Sequence, residues 1–441
     1  MREGHMLSAR LVILGLLVGG FAFSAAPRQA ISPHIEQKHV GRIIPWPEAD
    51  LIAARDYQDR AAIRQHGWDV FGNVTRAYDP SRPDGAAQWE MWHSHSETFR
   101  AEPGGCTSDP PLHGQNLPGA NGSQTGGRGP ARRILTVTVL YNDDACRHIR
   151  SLRLYRPESI DSLLNKLAAL DAPNYERDIP PFPRSSMVIK ANWRRIPRSG
   201  GFIPVWLPGS SSPQRVSVRV SSPREPCLLS TWDGTQPIPT SCFRSITVTR
   251  GNHETFPQQT VDDGDVYVLV GLHIITKELP EWTWSTFWWS ARPNDGSFAE
   301  GRPSASDLHG VWRNYVMDTT LSMDTPSEPA AQAAQSDAAD DCAPGRGQQL
   351  ARACFNPYLE GRNLNEAKLS NCMNCHVHAT YPPMSTDFRD TVERGYIDPN
   401  APCFKDRIRL DYIWSLVPKT LVSSHSDLTT ARLTESETHS P

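Results

Sequence analysis

Apolar residues recur along this chain with two periods, and the two divide it into regions. From Ala49 to Ala77 the positions Leu51, Ile52, Tyr57, Ala61, Ile63, Trp68, Phe71 and Val74 fall on one side of a helical wheel, which predicts a helical stretch. A second helix is predicted over Ser159–Leu170, opened by Pro157 and Glu158. Elsewhere the apolar residues come in short runs rich in β-branched and aromatic side chains, bounded by Pro, Gly and Ser. Such runs predict strands at Ile134–Tyr141, Met187–Trp193, Phe202–Leu207, Arg215–Val220, Ser245–Thr249, Asp265–Thr276 and Trp282–Trp289. Ala101–Ala131 is a Gly-, Pro- and Ser-rich loop. The segment 324–343 is low in complexity and reads as a linker. The fold class expected is α+β: a β-rich N-terminal and middle region, 27–323, followed by a small, mainly helical or irregular segment, 344–421, and a disordered tail, 422–441.

One apolar run differs from the rest. Leu11–Phe23 is continuous, follows Arg2 and Arg10, and is succeeded by the small residues Ser24–Ala26. A charged start, a short apolar stretch and small residues behind it predict a signal peptide over 1–26. The run is shorter than the ~20 apolar residues that span a bilayer. The expected mature chain is periplasmic or otherwise exported and has no integral membrane segment once the signal is cleaved.

Composition narrows the function classes. The 441 residues carry a net charge of −3, so no chain-wide basic field attracts nucleic acid. The 38 prolines argue against a helical bundle, because an internal proline breaks a helix. There is no P-loop, no dinucleotide fingerprint and no G-x-S-x-G.

The chemistry-bearing motif is Cys372-Met373-Asn374-Cys375-His376, a C-x-x-C-H. Two thiols three positions apart on one turn can each add to a vinyl group on one porphyrin edge, and the next residue presents an imidazole to the iron. From the chain's own Cys and His frequencies the motif arises by chance about 0.006 times. Asn363–Leu369 can form a helix leading into it. The predicted cofactor is one covalent haem c, with Cys372 and Cys375 as thioether partners and His376 as proximal ligand. The competing readings are a thiol redox pair, a zinc site and coincidence in a disulfide-rich segment. Seven cysteines remain, and an exported chain can oxidise them. Cys227–Cys242 and Cys342–Cys354 would each close a loop of about 15 residues, worth roughly 3 kcal/mol. Cys106–Cys146 would tie down the Gly-rich loop, which leaves Cys403 over.

At this motif the chain resembles the c-type cytochromes. Its stretches MVIKANWR (Met187–Arg194), YVLVGLHIITKELPEWTWSTF (Tyr267–Phe287), HGVWRNY (His309–Tyr315), SNCMNCHVHATYP (Ser370–Pro382) and LDYIWSL (Leu410–Leu416) are similar to a group of bacterial exported cytochrome c family proteins with one C-terminal haem site. The resemblance covers about a fifth of the chain. It implies haem binding and electron transfer with a redox partner protein, and no known substrate. The alternatives are a haem-dependent oxidoreductase whose large preceding region forms a substrate pocket, and a haem-based binding or sensing module. The chain departs from a small cytochrome c in that no methionine lies well downstream of the motif. The nearer Met384 is the candidate distal ligand, with His253, His273, His309, Met317 and Met323 as residues able to reach over from the preceding region. Trp414 is a candidate for excluding water.

Three further features have plainer readings. Trp282, Trp284, Trp288 and Trp289 crowd one strand, chiefly as core and alternatively as a wall against a haem or substrate. His93 and His95 alternate onto one face of an expected strand, as solvated residues or a metal pair. Asp262, Asp263 and Asp265 surround Gly264, as an ordinary turn or a calcium loop.

Overall fold

The computed structural model describes residues 44–82, 85–100, 105–106, 135–173, 176–210, 212–248, 262–304, 307–323, 354–359, 371–384 and 402–417. The signal segment, most of the Gly-rich loop, the linker, Asn363–Leu369, the tail, His253 and Cys342 lie outside these residues.

The helical stretch is two helices, α1 (Glu48–Asp56) and α2 (Arg60–Thr75). The break has a local cause: Gln58 takes a left-handed conformation (φ 53°), and Asp59 then caps α2 by accepting from the Ala62 N–H. A strand of two residues, β1 (His93–Ser94), leads into α3 (His95–Phe99), which Ser94 caps in a reciprocal box with Glu97. β2 (Leu135–Tyr141) is followed by α4 (Asp143–Ser151) and α5 (Pro157–Ala169). Then come β3 (Met187–Ile196), β4 (Gly201–Val205), β5 (Gln214–Arg219), β6 (Ile238–Pro239), β7 (Ser245–Thr247), β8 (Val266–Thr276), β9 (Thr283–Trp289) and β10 (Tyr315–Thr320). The fold is α+β, as its sequence pattern predicts.

The main sheet has the order β1-β2-β3-β8-β9-β10, with β7 also on β8, and every pair is antiparallel. β4, β5 and β6 form a separate small sheet. Each main strand nearly coincides with its predicted run. The exceptions are instructive. β10 (YVMDTT) is buried at all six positions, so it carries no alternation to read. α4 (DDACRHIRS) buries only Ala145, Cys146 and Ile149 and is otherwise polar.

Register divides the sheet into two faces. On one, Phe287 and Met317 meet α2: Phe71 stacks on Phe287 at 4.2 Å, and Trp68 packs edge-on at 5.5 Å. On the other, Tyr141, Val188, Ile275, Trp284 and Thr320 form one cross-strand row, from the pairings Val188–Tyr141, Val188–Ile275, Ile275–Trp284 and Trp284–Thr320. This second face is covered by α4, α5 and the C-terminal segment, which share one apolar cluster with it. Burying large side chains on both faces is the main stabilising contribution, since area removed from water contributes roughly 25 cal/mol per Å².

Disulfides join Cys106–Cys146 and Cys227–Cys242. The other two cysteine expectations are corrected. Cys403 is itself disulfide-bonded. Cys354 remains a thiol, with its sulfur 3.7 Å from that of Cys372. The chain brings Cys354 beside Asn371 as a parallel bridge, a juxtaposition that sequence spacing does not reveal. Among the described residues no helix is long and apolar enough to cross a membrane.

Candidate functional site

The C-x-x-C-H motif forms a single short helix, Cys372–His376. Asn371 starts it: its side chain accepts from the Met373 N–H at 2.9 Å. The chain then runs into β11 (Thr380–Tyr381), which pairs antiparallel with β12 (Ile408–Arg409). That pairing places residues 410–417 along the helix. Trp414, half-buried, donates its indole N–H to the Cys375 carbonyl at 3.2 Å, satisfying an otherwise open group at the helix end.

His376 is the most constrained member. Its Nδ1 lies 2.8 Å from the Tyr412 carbonyl. A carbonyl only accepts, so Nδ1 carries the proton and Nε2 presents its lone pair. Burial pushes the imidazole down to about 4, against the Tyr412 hydrogen bond and with help from the positive charge of Lys190. The ring is therefore neutral at pH 7, the form that binds a metal. The Trp284 ring sits 4.6 Å away.

The Tyr412 carbonyl is held in turn by a strained loop. Asp411 (φ 47°) and Tyr412 (φ 66°) are consecutive left-handed residues, a conformation that disfavours ordinary side chains. Asp411 anchors it. Its carboxylate accepts from the Lys277 ammonium at 2.5 Å, the Trp282 indole at 3.1 Å and the Phe182 N–H at 3.2 Å, and both charged groups are under 10% exposed.

Opposite the helix, the sheet carries a second cross-strand row: Val139, Lys190, His273, Thr286 and Asp318. Its centre is open. His273 is half-exposed, while every other residue of β8 is buried. Lys190 is exposed in the interior of β3. Cys375 and His376 are half-exposed as well. Burial, with the nearby positive charge of Lys190, holds His273 well below its usual value. One row further, Asn192 pairs with Gly271, and Gly271 packs against Asn356 of the C-terminal segment. Asn356 donates to Thr286 Oγ1 and the Phe287 carbonyl, both at 2.9 Å. Asn192 is completely buried, yet neither its amide nitrogen nor its amide oxygen has a hydrogen-bond partner. A buried amide without partners costs about 1–3 kcal/mol.

These features fit a haem. Two cysteines stand on one turn, a neutral imidazole is fixed by a carbonyl, and the neighbouring sheet row carries the exposed Lys190 and the half-buried His273. Cys372 also donates to the Cys354 carbonyl at 3.2 Å, so its thiol must turn from that contact to reach a porphyrin edge.

The remaining sequence candidates are placed as follows. Met384 is buried in the apolar cluster that contains residues of α4 and α5. Met317 lies on the opposite sheet face, where its sulfur crowds Gly67. His309 is exposed in the loop before β10, and Met323 is buried. His378 is buried with Nδ1 2.7 Å from the Asn374 carbonyl. The tryptophan strand is core, as its main reading predicts. Trp289 stacks on Phe243 in the core, while Trp284 meets His376. His93 and His95 do not share a strand face, because α3 begins at His95: His93 bonds Asp143 and His95 stacks on Phe99. The aspartate loop is a turn. Asp265 accepts from Arg195 Nε and from the Arg198 and Asp262 N–H groups. Among the described residues no group of three or more His, Cys, Asp or Glu is arranged to hold a bare metal ion. Asp411 and Lys277 have no local signal that marks them out.

No protein-family model, curated protein or solved structure matches this chain.

Proposed function

We propose that this chain is an exported, periplasmic c-type cytochrome that carries one covalent haem and passes single electrons to a redox partner protein. The observation that carries the reading is the imidazole at the end of the C-x-x-C-H helix, whose Nδ1 faces the Tyr412 carbonyl and whose Nε2 lone pair is left for iron. In this reading Cys372 and Cys375 hold the porphyrin through thioethers and His376 is the proximal ligand. When bound, the haem supplies a one-electron ferric/ferrous couple. The chain's own residues set its conditions. The Tyr412 carbonyl fixes the ring of His376 and raises its basicity, as partners behind a metal ligand do. Trp284 and Trp414 limit water at the helix. Lys190, exposed in the interior of β3, would offer a positive charge to a haem carboxylate.

The test is purification from a host with cytochrome c maturation machinery, followed by denaturing electrophoresis and haem staining. Stain is expected on the chain, weakened by Cys372→Ser or Cys375→Ser alone and abolished by both. A full-length mature chain without retained haem refutes the assignment.

A further inference from the structure

We propose that Cys354 and Cys372 form a reversible disulfide in the haem-free chain, which withholds one of the two attachment sulfurs until it is reduced. The disulfide follows from the contact between the two residues; its effect on haem attachment rests on the cytochrome reading. The contact is close. The two sulfurs lie 3.7 Å apart, near van der Waals distance, and a small side-chain rotation brings them to the roughly 2 Å of a bond. The backbone already holds the pair together. Cys354 forms a parallel bridge with Asn371, and the Cys372 N–H donates to the Cys354 carbonyl at 3.2 Å. The Cys372 thiol donates to that same carbonyl, also at 3.2 Å. Both residues are buried in the apolar cluster on the second sheet face. Cys375, one turn further on, is half-exposed, so Cys372 is the motif sulfur that the fold presents to Cys354.

A buried cysteine is by itself ordinary, since the thiol packs as a small apolar group. Two buried thiols in contact, in a chain oxidised elsewhere, are a different matter. The structure shows this pair reduced, whereas Cys106, Cys146, Cys227, Cys242 and Cys403 are disulfide-bonded. A compartment that oxidises those five also oxidises Cys354 and Cys372. Burial places the reaction during folding, before the pair is covered. The oxidant is a disulfide, either of a protein thiol oxidase or of oxidised glutathione. One thiolate of the pair attacks a sulfur of that disulfide, and the other then attacks the mixed disulfide. The bond between Cys354 Sγ and Cys372 Sγ forms and the oxidant's S–S bond breaks. The oxidant leaves as two thiols, carrying away the two electrons and two protons. A dithiol reductant runs the same exchange backwards. A sulfur held in a disulfide does not add to a vinyl group, so the oxidised chain offers the porphyrin Cys375 and not Cys372. Once Cys372 is a thioether, Cys354 stays a thiol.

The experiment maps thiols in the full chain. Haem-free protein is exported from a host without cytochrome c maturation machinery and exposed to oxidised glutathione. It is then denatured in an alkylating reagent without reductant, and digested for mass spectrometry. Expected is a linked peptide pair holding Cys354 and Cys372, with alkylation lost at both and retained at Cys375. Dithiothreitol before alkylation should split the pair and restore label at both. Cys375→Ser should keep the link, and Cys372→Ser should leave Cys354 alkylated. Haem-loaded wild type from a maturation host should carry the label on Cys354. Haem-free wild type with Cys354 and Cys372 both alkylated overturns the proposal. So does a Cys372–Cys375 link, or a link from Cys354 to any other cysteine. These results come from wild type and need no variant to fold. They leave the cytochrome reading standing, because retained haem is scored separately by staining. A Cys354–Cys372 link in a chain that retains no haem in the maturation host refutes the cytochrome reading and leaves the disulfide.

Discussion

Replacing Asp411 by alanine should be among the most damaging single changes outside the haem motif. The carboxylate is 9% exposed and has three partners: the Lys277 ammonium, 6% exposed, the Trp282 indole N–H and the Phe182 N–H. Each hydrogen bond to a charged acceptor contributes about 1.5–3 kcal/mol, so losing those from Trp282 and Phe182 costs about 3–6 kcal/mol. Losing the charge strands a buried ammonium whose remaining acceptor is the Pro280 carbonyl at 2.6 Å, and removing one partner of a buried pair costs about 3–5 kcal/mol in total. The two estimates overlap because they count shared contacts, and about 4 kcal/mol is expected for Asp411→Ala. Asp411→Asn keeps an acceptor and a side chain that tolerates a left-handed backbone, so about 2 kcal/mol is expected. By contrast Asp56→Ala, which breaks a solvent-exposed contact with Arg55, should change stability by less than about 0.5 kcal/mol. Urea unfolding of the haem-loaded protein, with midpoint and slope measured for each variant, gives these differences. A double variant with Lys277→Met should lose little beyond Asp411→Ala alone, because the charge that was stranded is gone. If Asp411→Ala costs under 1 kcal/mol, or if the two losses simply add, the anchor is not the ion pair described.

Three other outcomes are expected. Changing both Cys227 and Cys242 to alanine opens a 15-residue separation and should lower stability by roughly 3 kcal/mol, read from urea midpoints against wild type under non-reducing conditions. Glu278 is buried, which alone would raise its pKa, but hydrogen bonds from His66, Thr276 and the Trp46 N–H, with the His66 charge, hold it below the usual carboxylate value. A depressed folded-state pKa contributes stability that is present above the unfolded value, near ~4.3, and lost as pH falls through the folded one. Glu278→Gln should thus be less stable at pH 7 and show a shallower stability loss on acidification below about pH 4, measured by urea midpoints across pH. Cys354→Ala should retain covalent haem at wild-type levels on stained gels, since its sulfur lies 3.7 Å from that of Cys372 without being bonded to it; loss of stain would make it a participant in attachment.

Local pattern alone determined most of the strands, the helix α5, two disulfides and the identity of the chemical motif. The strands, the helix and the motif depend on spacing within a few residues, whereas the cysteine pairs lie 40 and 15 residues apart. Met187–Trp193 reads as a strand because its apolar runs need covering on both faces, and Cys372, Cys375 and His376 read together because one helical turn is a fixed length. β10 escaped because a strand buried all round shows no alternation, and α4 because its buried face is just Ala145, Cys146 and Ile149. The surroundings of the motif were decided by tertiary structure. Tyr412 acts through its backbone carbonyl, which no side-chain pattern encodes. Asp411 meets Lys277 across 134 residues, and Cys354 meets Cys372 only because a parallel bridge aligns them. Periodicity records which residues must be covered. Which residue then lies opposite which is settled by long-range pairing, because a shift of one position would turn every side chain of a strand to the other face.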